Sequence, residues 1–300
     1  MTLREALKQN RLLVSDGGIG TQLQQLGLEP GGCGDEWNLT NPEKVASVHR
    51  NYVAAGSQLI TTNTFGSNRF VLANYGLEGK QREIAIAGAR IAKEVMGDAG
   101  WVMGSVGPCG GMLQPIGEVD AAELERSLRV QIAALIEGGV DAVLIETMTA
   151  IDELELSVRV AREVGAQLII ASCAYDETKV GPRTMMGATP EKCVEVALEA
   201  GADVIGANCG TLASVDDFVD LVARLRAVSG DTPVILQPNG GQPTLEGDRI
   251  VYHVSPEEMA QRLARLGTEV NIIGGCCGTA PAHIHALTRL LSASKKQAAY

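Results

Sequence analysis

Three of the seven cysteines in this 300-residue chain could bind one metal ion together. Cys276 and Cys277 lie within GGCCG at 274–278, and Cys209 lies within NCG at 208–210. Adjacent residues of a strand point to opposite faces, so the pair can share an ion only where the backbone bends, which glycine permits. Zinc fingers pair their ligands across short loops, whereas these cysteines would converge through the fold. They predict a zinc site whose fourth position is open, as in catalytic sites.

Burial and cross-linking are the alternative interpretations of the cysteines. Free cysteine is among the most buried residue types. Burial is the expectation for the other four, namely Cys33, Cys109, Cys173 and Cys193. A disulfide between adjacent Cys276 and Cys277 would be strained, and it is not expected in a reducing compartment.

Eight short apolar segments alternate with amphipathic segments along the chain, and no change of composition marks a linker. Each is the near-continuous kind expected of a strand buried on both faces of a parallel sheet. These segments are 12–18, 57–65, 101–108, 141–148, 167–174, 203–210, 233–241 and 270–278. Helices are predicted at 2–9, 42–55, 80–96, 121–137, 151–164, 190–200, 214–228, 256–266 and 280–291. The alternation predicts an α/β fold, a single (β/α)8 TIM barrel over 1–292, with a C-terminal tail at 293–300.

The alternative α/β fold is a pair of dinucleotide-binding halves. That fold needs a glycine-rich fingerprint that opens a helix after the first strand, but the segment at 16–20 reads DGGIG and predicts no helix start. We therefore favour the barrel, whose chemistry belongs to the carboxyl ends of its strands. The residues at those ends are Asp16, Asn63, Ser105, Glu146, Cys173, Cys209, Asn239 and the Cys276–Cys277 pair.

Composition limits the classes of function. Lys and Arg total 25 against 36 Asp and Glu, so the formal net charge is −11 and neither nucleic acid nor a membrane surface is an expected partner. No apolar run reaches the roughly 18 residues of a membrane span. The N-terminal segment lacks the apolar core and cleavage site of a signal peptide, which predicts a cytoplasmic protein. Several barrel families dimerise through their outer helices, so a homo-oligomer is compatible with the sequence.

Seven motifs resemble the homocysteine S-methyltransferase family, above all the homocysteine-binding module of cobalamin-dependent methionine synthases. They are DGGIGTQLQQLGL (16–28), DEWNLTNPEKVASVHRNYVAAGSQLITTNTFGSNR (35–69), GSVGP (104–108), IETM (145–148), GANCG (206–210), QPNGG (237–241) and GGCCGT (274–279). The resemblance extends from about residue 10 to 292. It implies a barrel that holds one zinc ion through Cys209, Cys276 and Cys277 and methylates homocysteine in methionine biosynthesis.

Three thiolate ligands suit this chemistry. The thiolate is the nucleophilic form of sulfur, and coordination to a metal removes the thiol proton. Three anionic cysteines offset the charge of zinc, so a substrate sulfur in the fourth position keeps its electron density. A site of three histidines would favour activation of water instead. No general base on the protein is required.

The family pattern also suggests how the amino-acid end of homocysteine is bound. The carboxylate of Glu146 would bind its ammonium group, and the alternative is an ion pair with Arg69 or Arg183. Backbone amides toward the substrate carboxylate are expected from Asp16, Gly17 and Gly18. Three asparagines could bind the substrate, support the sulfur ligands or stabilise turns, namely Asn63, Asn208 and Asn239. None of the four histidines ends a strand, so none is expected to bind zinc.

Two methyl donors fit these motifs. A methyl-corrinoid protein could dock on the open rim in trans, or a small sulfonium or betaine of the S-methylmethionine type could bind beside zinc. A direct onium site needs aromatic faces, and only Trp37, Phe65 and Tyr175 are placed for such a cage. The NTFG and DEWN segments favour the corrinoid scheme. A non-catalytic zinc scaffold is the hypothesis of another class, and Glu146 beside an open zinc position argues against it.

Overall fold

The computed structural model describes residues 1–9, 12–212, 214–246, 249–267 and 269–297. Its strands in chain order are β1 Leu13–Val14, β2 Leu59–Thr61, β3 Trp101–Val106, β4 Ala142–Met148, β5 Ile169–Cys173, β6 Val204–Asn208, β7 Val234–Gln237, β8 Thr244–Glu246, β9 Arg249–Val251 and β10 Ile272–Ile273. β8 and β9 pair as an antiparallel hairpin, and the other eight strands form one parallel sheet. All eight lie within the predicted segments, which confirms the (β/α)8 fold.

The sheet follows the order β1-β10-β7-β6-β5-β4-β3-β2, so β1 and β2 are the strands that must meet to close the cylinder. The Gln58 N–H donates to the Val14 carbonyl across this seam at 2.7 Å. At the carboxyl end, the Asp16 carboxylate accepts from the Thr61 N–H at 2.7 Å and from the Thr61 hydroxyl at 2.9 Å. A buried carboxylate therefore completes the seam where the two-residue strand β1 has ended.

Helices surround the sheet. They are α1 Leu3–Lys8, α2 Ile19–Gln25, α3 Trp37–Thr40, α4 Pro42–Ala54, α5 Arg69–Ala73, α6 Gln81–Met96, α7 Ala121–Glu137, α8 Ile151–Val164, α9 Pro190–Ala200, α10 Val215–Ser229, α11 Pro256–Ala264 and α12 Pro281–Gln297. A short 3-10 turn, Glu78–Lys80, precedes α6. Thr189 and Ser255 cap α9 and α11 ahead of a proline in the first turn, as such sequences predict.

Four short elements were not predicted: α2, α3, α5 and the β8–β9 hairpin. The expectation that no helix starts after the glycines at 17–18 is wrong, because α2 begins at Ile19 with Gly18 as a cap that offers no side chain. Helix α12 continues past residue 292, where the barrel was predicted to end, as far as Gln297. Residues 298–300 of the predicted tail lie outside the described residues.

Aliphatic side chains fill the amino end of the barrel. Inward residues of the strands, among them Leu59, Leu144 and Ile235, pack with Leu3 and Leu7 of α1 in one buried cluster. Because α1 covers this end, a ligand can enter only from the carboxyl end of the strands. Among the described residues, no helix combines the length and apolar character that a membrane span requires.

The seam predicts that Asp16→Ala destabilises the barrel. The Thr61 N–H and the Thr61 hydroxyl would both lose their buried acceptor. Such a loss lowers the free energy of unfolding by about 1–3 kcal/mol. Urea denaturation monitored by circular dichroism measures the change. Asp98→Ala, at an exposed position, is the matched control and is expected to leave stability unaltered. Equal stability of the two variants would contradict a closing role for Asp16.

Candidate metal centre

The three predicted sulfur ligands meet at the carboxyl end of the barrel. The Cys209 Sγ lies 2.9 Å from the Cys276 Sγ and 3.7 Å from the Cys277 Sγ. All three sulfurs lie within 4.8 Å of one another. Tetrahedral zinc with bonds of about 2.3 Å separates its sulfur ligands by roughly 3.8 Å, so the longer pair already fits and the shorter pair must open by about 0.9 Å. The donor set and its spacing fit a zinc ion.

Strand β7, which lies between β6 and β10, holds both cysteine segments in place. The Cys209 N–H donates to the Gln237 carbonyl at 3.2 Å, and the Cys276 N–H donates to the Pro238 carbonyl at 2.8 Å. Consecutive carbonyls of one strand end thus position cysteines that are 67 residues apart in the sequence. The convergence follows from the parallel order of the strands.

The backbone bends at the cysteines, as predicted, and the bend involves more than glycine. Cys209 itself has a φ of +54°, a left-handed conformation that costs a non-glycine residue of order 1–3 kcal/mol. Gly210 follows with a φ of +72°, and a Cβ there would lie 2.0 Å from the Tyr175 carbonyl oxygen. Gly278 after the cysteine pair has a φ of +75°. These left-handed residues turn the sulfurs toward one point.

Hydrogen bonds within the sulfur cluster shift the pKa values of its thiols. Hydrogen bonds from Cys209 and Cys276, and from the Tyr252 hydroxyl, lower the pKa of Cys277 to about 3. The hydrogen bond with Cys209 raises the pKa of Cys276 well above its usual range, and burial adds to this shift. A divalent cation at this point would favour the thiolate form of all three cysteines.

Glu146 lies near the end of β4 as a buried acid, and no cation among the described residues pairs with it. Its side chain is 9% exposed, and it accepts hydrogen bonds from the Ser105 hydroxyl and, at 3.3 Å, from the Asn208 amide. Burial raises its pKa to about 7, against the Ser105 bond and with the added repulsion of Asp16 and Cys277. No cationic side chain among the described residues acts on the Glu146 carboxylate, so the alternative of an ion pair with an arginine is wrong.

Asn208 links this acid to the sulfur cluster. Its Nδ2 lies 3.3 Å from the Glu146 Oε2 and 3.8 Å from the Cys276 Sγ. The same nitrogen donates to the Thr147 hydroxyl at 2.7 Å. The structure therefore brings together Glu146, Asn208 and the three cysteines at the carboxyl ends of alternate strands, β4, β6 and β10.

The segment at 16–18 lies beside the cluster, but most of its polar groups already have partners. The Asp16 carboxylate accepts hydrogen bonds from Thr61. The Gly18 N–H donates to the carbonyl and hydroxyl oxygens of Thr279 at 3.2 and 3.0 Å. The buried Tyr52 hydroxyl contacts the carbonyls of Gly18 and Thr279. Among the described residues, only the Gly17 N–H of this segment's two glycine amides has no hydrogen-bond partner.

The other two predicted asparagines differ in position. Asn63 donates to the Gly34 carbonyl at 2.8 Å and to the Asn38 side chain at 3.0 Å, which stabilises a loop instead of touching the sulfurs. Asn239 donates to the Gly210 carbonyl at 2.9 Å, beside the turn at Cys209. The Asn239 Oδ1 is buried and has no partner among the described residues. Asn239 thus has a free acceptor near the site.

The proposed aromatic cage is not formed. Tyr175 is buried in the core at 1% exposure, and the Lys44 ammonium covers the Trp37 ring at 4.6 Å. Phe65 is exposed and lies against Gly107. Sequence analysis identified these aromatic residues as candidates, but the direction in which each side chain points depends on tertiary packing.

Sequence reasoning also missed residues that shape the site. Thr147 has a φ of +61°, rare for a β-branched residue, and only its place in the IETM motif pointed to it. Tyr252 leaves the β8–β9 hairpin and lays its ring on Gly278, where a Cβ would lie 2.0 Å from the ring. No pattern in the sequence distinguishes this tyrosine. Of the other cysteines, Cys33 is half-buried and three are buried as expected, namely Cys109, Cys173 and Cys193.

Comparison with known proteins identifies similar chains. The model of the family described as homocysteine S-methyltransferase matches residues 13–291. Methionine synthase of Mycobacterium tuberculosis (strain ATCC 25618 / H37Rv) is 31% identical over 313 residues, 98% of this chain and 26% of that protein. Methionine synthase of Mycobacterium leprae (strain TN) is 32% identical over 302 residues, 94% of this chain and 24% of that protein. The chain therefore spans about a quarter of the curated relatives it matches.

A solved structure shares the fold. The metallated form of the Escherichia coli homocysteine methyltransferase MmuM superposes with a TM-score of 0.78 at 22% identity. The match covers 96% of this chain and 99% of that one. The agreement extends over the whole barrel.

The sulfur geometry predicts one zinc ion per chain, held by all three cysteines. Replacing any one of them, as in Cys209→Ser, Cys276→Ser or Cys277→Ser, should weaken zinc binding more than about 100-fold, because losing even a group that only hydrogen-bonds a ligand costs 10–100-fold. Metal analysis and chelator competition measure content and affinity. Cys33→Ser is the matched control and should bind zinc like the parent chain. A cluster variant that retains the parent affinity would contradict the three-sulfur site.

Proposed function

The chain belongs to the homocysteine S-methyltransferase family, and we propose that it methylates the thiol of homocysteine to form methionine. The observation that carries this proposal is the juxtaposition of three thiols with a buried, unpaired carboxylate. A single nitrogen, Asn208 Nδ2, contacts both the Glu146 carboxylate and the Cys276 sulfur. An amino acid with a thiol at its other end matches both groups.

Cys209, Cys276 and Cys277 would hold zinc in this scheme. When bound, zinc supplies the Lewis acidity that keeps a coordinated sulfur deprotonated near neutral pH, without redox chemistry of its own. The protein's part is to bring three sulfurs together from the segments that follow β6 and β10. A scaffold that only stored zinc would have no use for the unpaired Glu146 nearby.

Glu146 would bind and orient the ammonium group of the substrate. A cation beside a buried carboxylate favours its charged form, so substrate binding offsets the burial that raises its pKa to about 7. Ser105 holds one carboxylate oxygen and Asn208 the other, which fixes the direction of the acid. The Gly17 N–H, which has no partner among the described residues, is suited to the substrate carboxylate. The sequence had predicted backbone amides from all three residues at 16–18, so the proposed role is limited to one of them.

The donor is proposed to be a methyl group carried by a corrinoid protein that docks on the mouth. The loops after β3, β5 and β7 expose large apolar side chains toward the carboxyl end of the barrel, and we call this set the apolar rim. Its members are Met112, Ile116, Val180, Met185, Met186, Leu245 and Ile250. Exposed apolar surface of this kind marks protein interaction sites.

Two further observations support a protein-borne donor over a small onium donor. The aromatic cage that would recognise positive methyl groups is not formed. The similar methionine synthases are about four times as long as the matched region, so in those proteins the barrel is joined to further protein. Direct transfer from a sulfonium or betaine is the alternative that assays must compare.

Glu146→Gln should raise the KM for homocysteine about 10–100-fold and leave the zinc content unchanged, because it removes a charge-assisted contact and keeps the shape of the side chain. The matched probe is 4-mercaptobutanoate, which is homocysteine without its amino group. The parent enzyme and the variant should methylate this thiol with equal kcat/KM. If the variant loses the same factor with both thiols, Glu146 does not bind the ammonium.

Met185→Glu and Ile116→Glu should slow methyl transfer from a methylated corrinoid protein at least tenfold, because each places a charge within an apolar interface. The rate with free methylcobalamin should stay at the parent value. The donor protein in this assay is the isolated corrinoid module of a methionine synthase. Val130→Glu, on the outer surface of α7, is the matched control and should change neither rate.

The same assay separates the two donors. Fast methionine formation from S-methylmethionine or betaine without any corrinoid would overturn the corrinoid proposal. Equal effects of the rim variants on free and protein-borne donor would overturn the docking role of the rim.

A further inference from the structure

We propose that Asn208 is a positioning residue that sets the spacing between Glu146 and the sulfur cluster and thereby selects homocysteine over cysteine. The inference rests on the proposed function, because it assigns the two ends of the substrate to these two groups. It concerns a different property, namely the chain length of the amino thiol that the site accepts.

The hydrogen bonds of Asn208 hold its side-chain amide in one orientation. Asn208 is 2% exposed. Its Oδ1 accepts from the Thr147 N–H at 2.9 Å and from the Ser172 hydroxyl at 2.6 Å. Its Nδ2 faces three acceptors, the Thr147 hydroxyl, the Glu146 carboxylate and the Cys276 sulfur. Rotating the amide by half a turn would place its oxygen against a carboxylate and a sulfur.

The same amide supports an unfavourable turn directly after Glu146. Thr147 adopts a φ of +61°, and a left-handed conformation is a genuine outlier for a β-branched residue. Asn208 holds this residue at both its N–H and its hydroxyl. The direction in which β4 presents Glu146 therefore depends on a side chain from β6.

Asn208 also immediately precedes the first cysteine of the cluster. Cys209 is the second described non-glycine residue with a positive φ, at +54°. The turn that aims Glu146 and the turn that aims the Cys209 sulfur are thus joined through one residue, across the intervening strand β5. The carboxylate and the sulfurs cannot shift independently while Asn208 keeps its contacts.

A fixed separation selects substrates by length. Homocysteine is cysteine with one additional methylene between the amino-bearing carbon and the sulfur. A shorter thiol that reaches the sulfur cluster would leave its ammonium short of Glu146. A single methylene typically changes discrimination by about 10–200-fold in a rigid site, which is the range expected here.

The test compares Asn208→Asp and Asn208→Ala with the parent chain, each loaded with zinc. Calorimetry measures the dissociation constants of homocysteine and of cysteine, and chelator competition confirms one zinc per chain. The parent should prefer homocysteine. Both variants should lose at least tenfold of that preference, because each removes the Nδ2 contacts. Asn208→Asp keeps the shape of asparagine, so the test remains valid if the alanine variant does not fold.

A second substitution provides a rescue. Glycine adopts a left-handed φ without support, so adding Thr147→Gly to Asn208→Ala should recover part of the preference for homocysteine. If Asn208 affects the preference by a route other than the turn at Thr147, the second substitution should recover none of it, because it changes only that turn.

The matched control is Asn68→Ala. Asn68 is an equally buried asparagine at 1% exposure with three hydrogen bonds, and it caps α5 without contact to Glu146 or the cysteines. It should lower thermal stability and keep the preference of the parent. If the Asn208 variants behave like this control, the inference is overturned. If the parent binds neither thiol, the proposed function fails, and the inference fails with it.

Discussion

The structure depends on one constraint: eight parallel strands in a closed cylinder all end at the same mouth. Cys209 and the Cys276–Cys277 pair belong to strands separated by β7, and successive carbonyls at the end of β7 accept from the backbone of both segments. Sequence distance is therefore irrelevant to the sulfur geometry. The geometry of the mouth also depends on closure of the cylinder between β1 and β2. The buried Asp16 carboxylate joins these two strands through Thr61.

The electrostatics of the mouth explain what it can bind. Glu146 and Asp16 are buried acids whose pKa values burial raises to about 7, and the sulfur cluster adjoins them. No cationic side chain offsets Glu146 within the described chain. Buried charges are stable only when they are paired. In the proposed scheme, a divalent ion at the sulfurs and an ammonium at Glu146 would supply that pairing.

Sequence analysis predicted the features that depend on local pattern. Continuous apolar runs identified all eight barrel strands, and prolines at helix starts identified α4, α9 and α11. The cysteine trio and Glu146 followed from their places at strand ends. Features that depend on side-chain direction were not predictable. The left-handed Thr147, the placement of Tyr252 on Gly278 and the burial of Tyr175 are set by tertiary packing, and α2 starts at a glycine cap that carries no side-chain signal.

X-ray absorption at the zinc edge counts the sulfur atoms bound to the metal, so it tests whether three cysteines and a substrate sulfur share one ion. Three sulfur ligands are expected in the protein alone and four once homocysteine is added, with zinc–sulfur distances of about 2.3 Å. Serine should add no sulfur, because it lacks a thiol. An unchanged sulfur count after homocysteine is added would contradict binding of the substrate sulfur to the metal. Fewer than three sulfurs at the start would contradict the three-cysteine site.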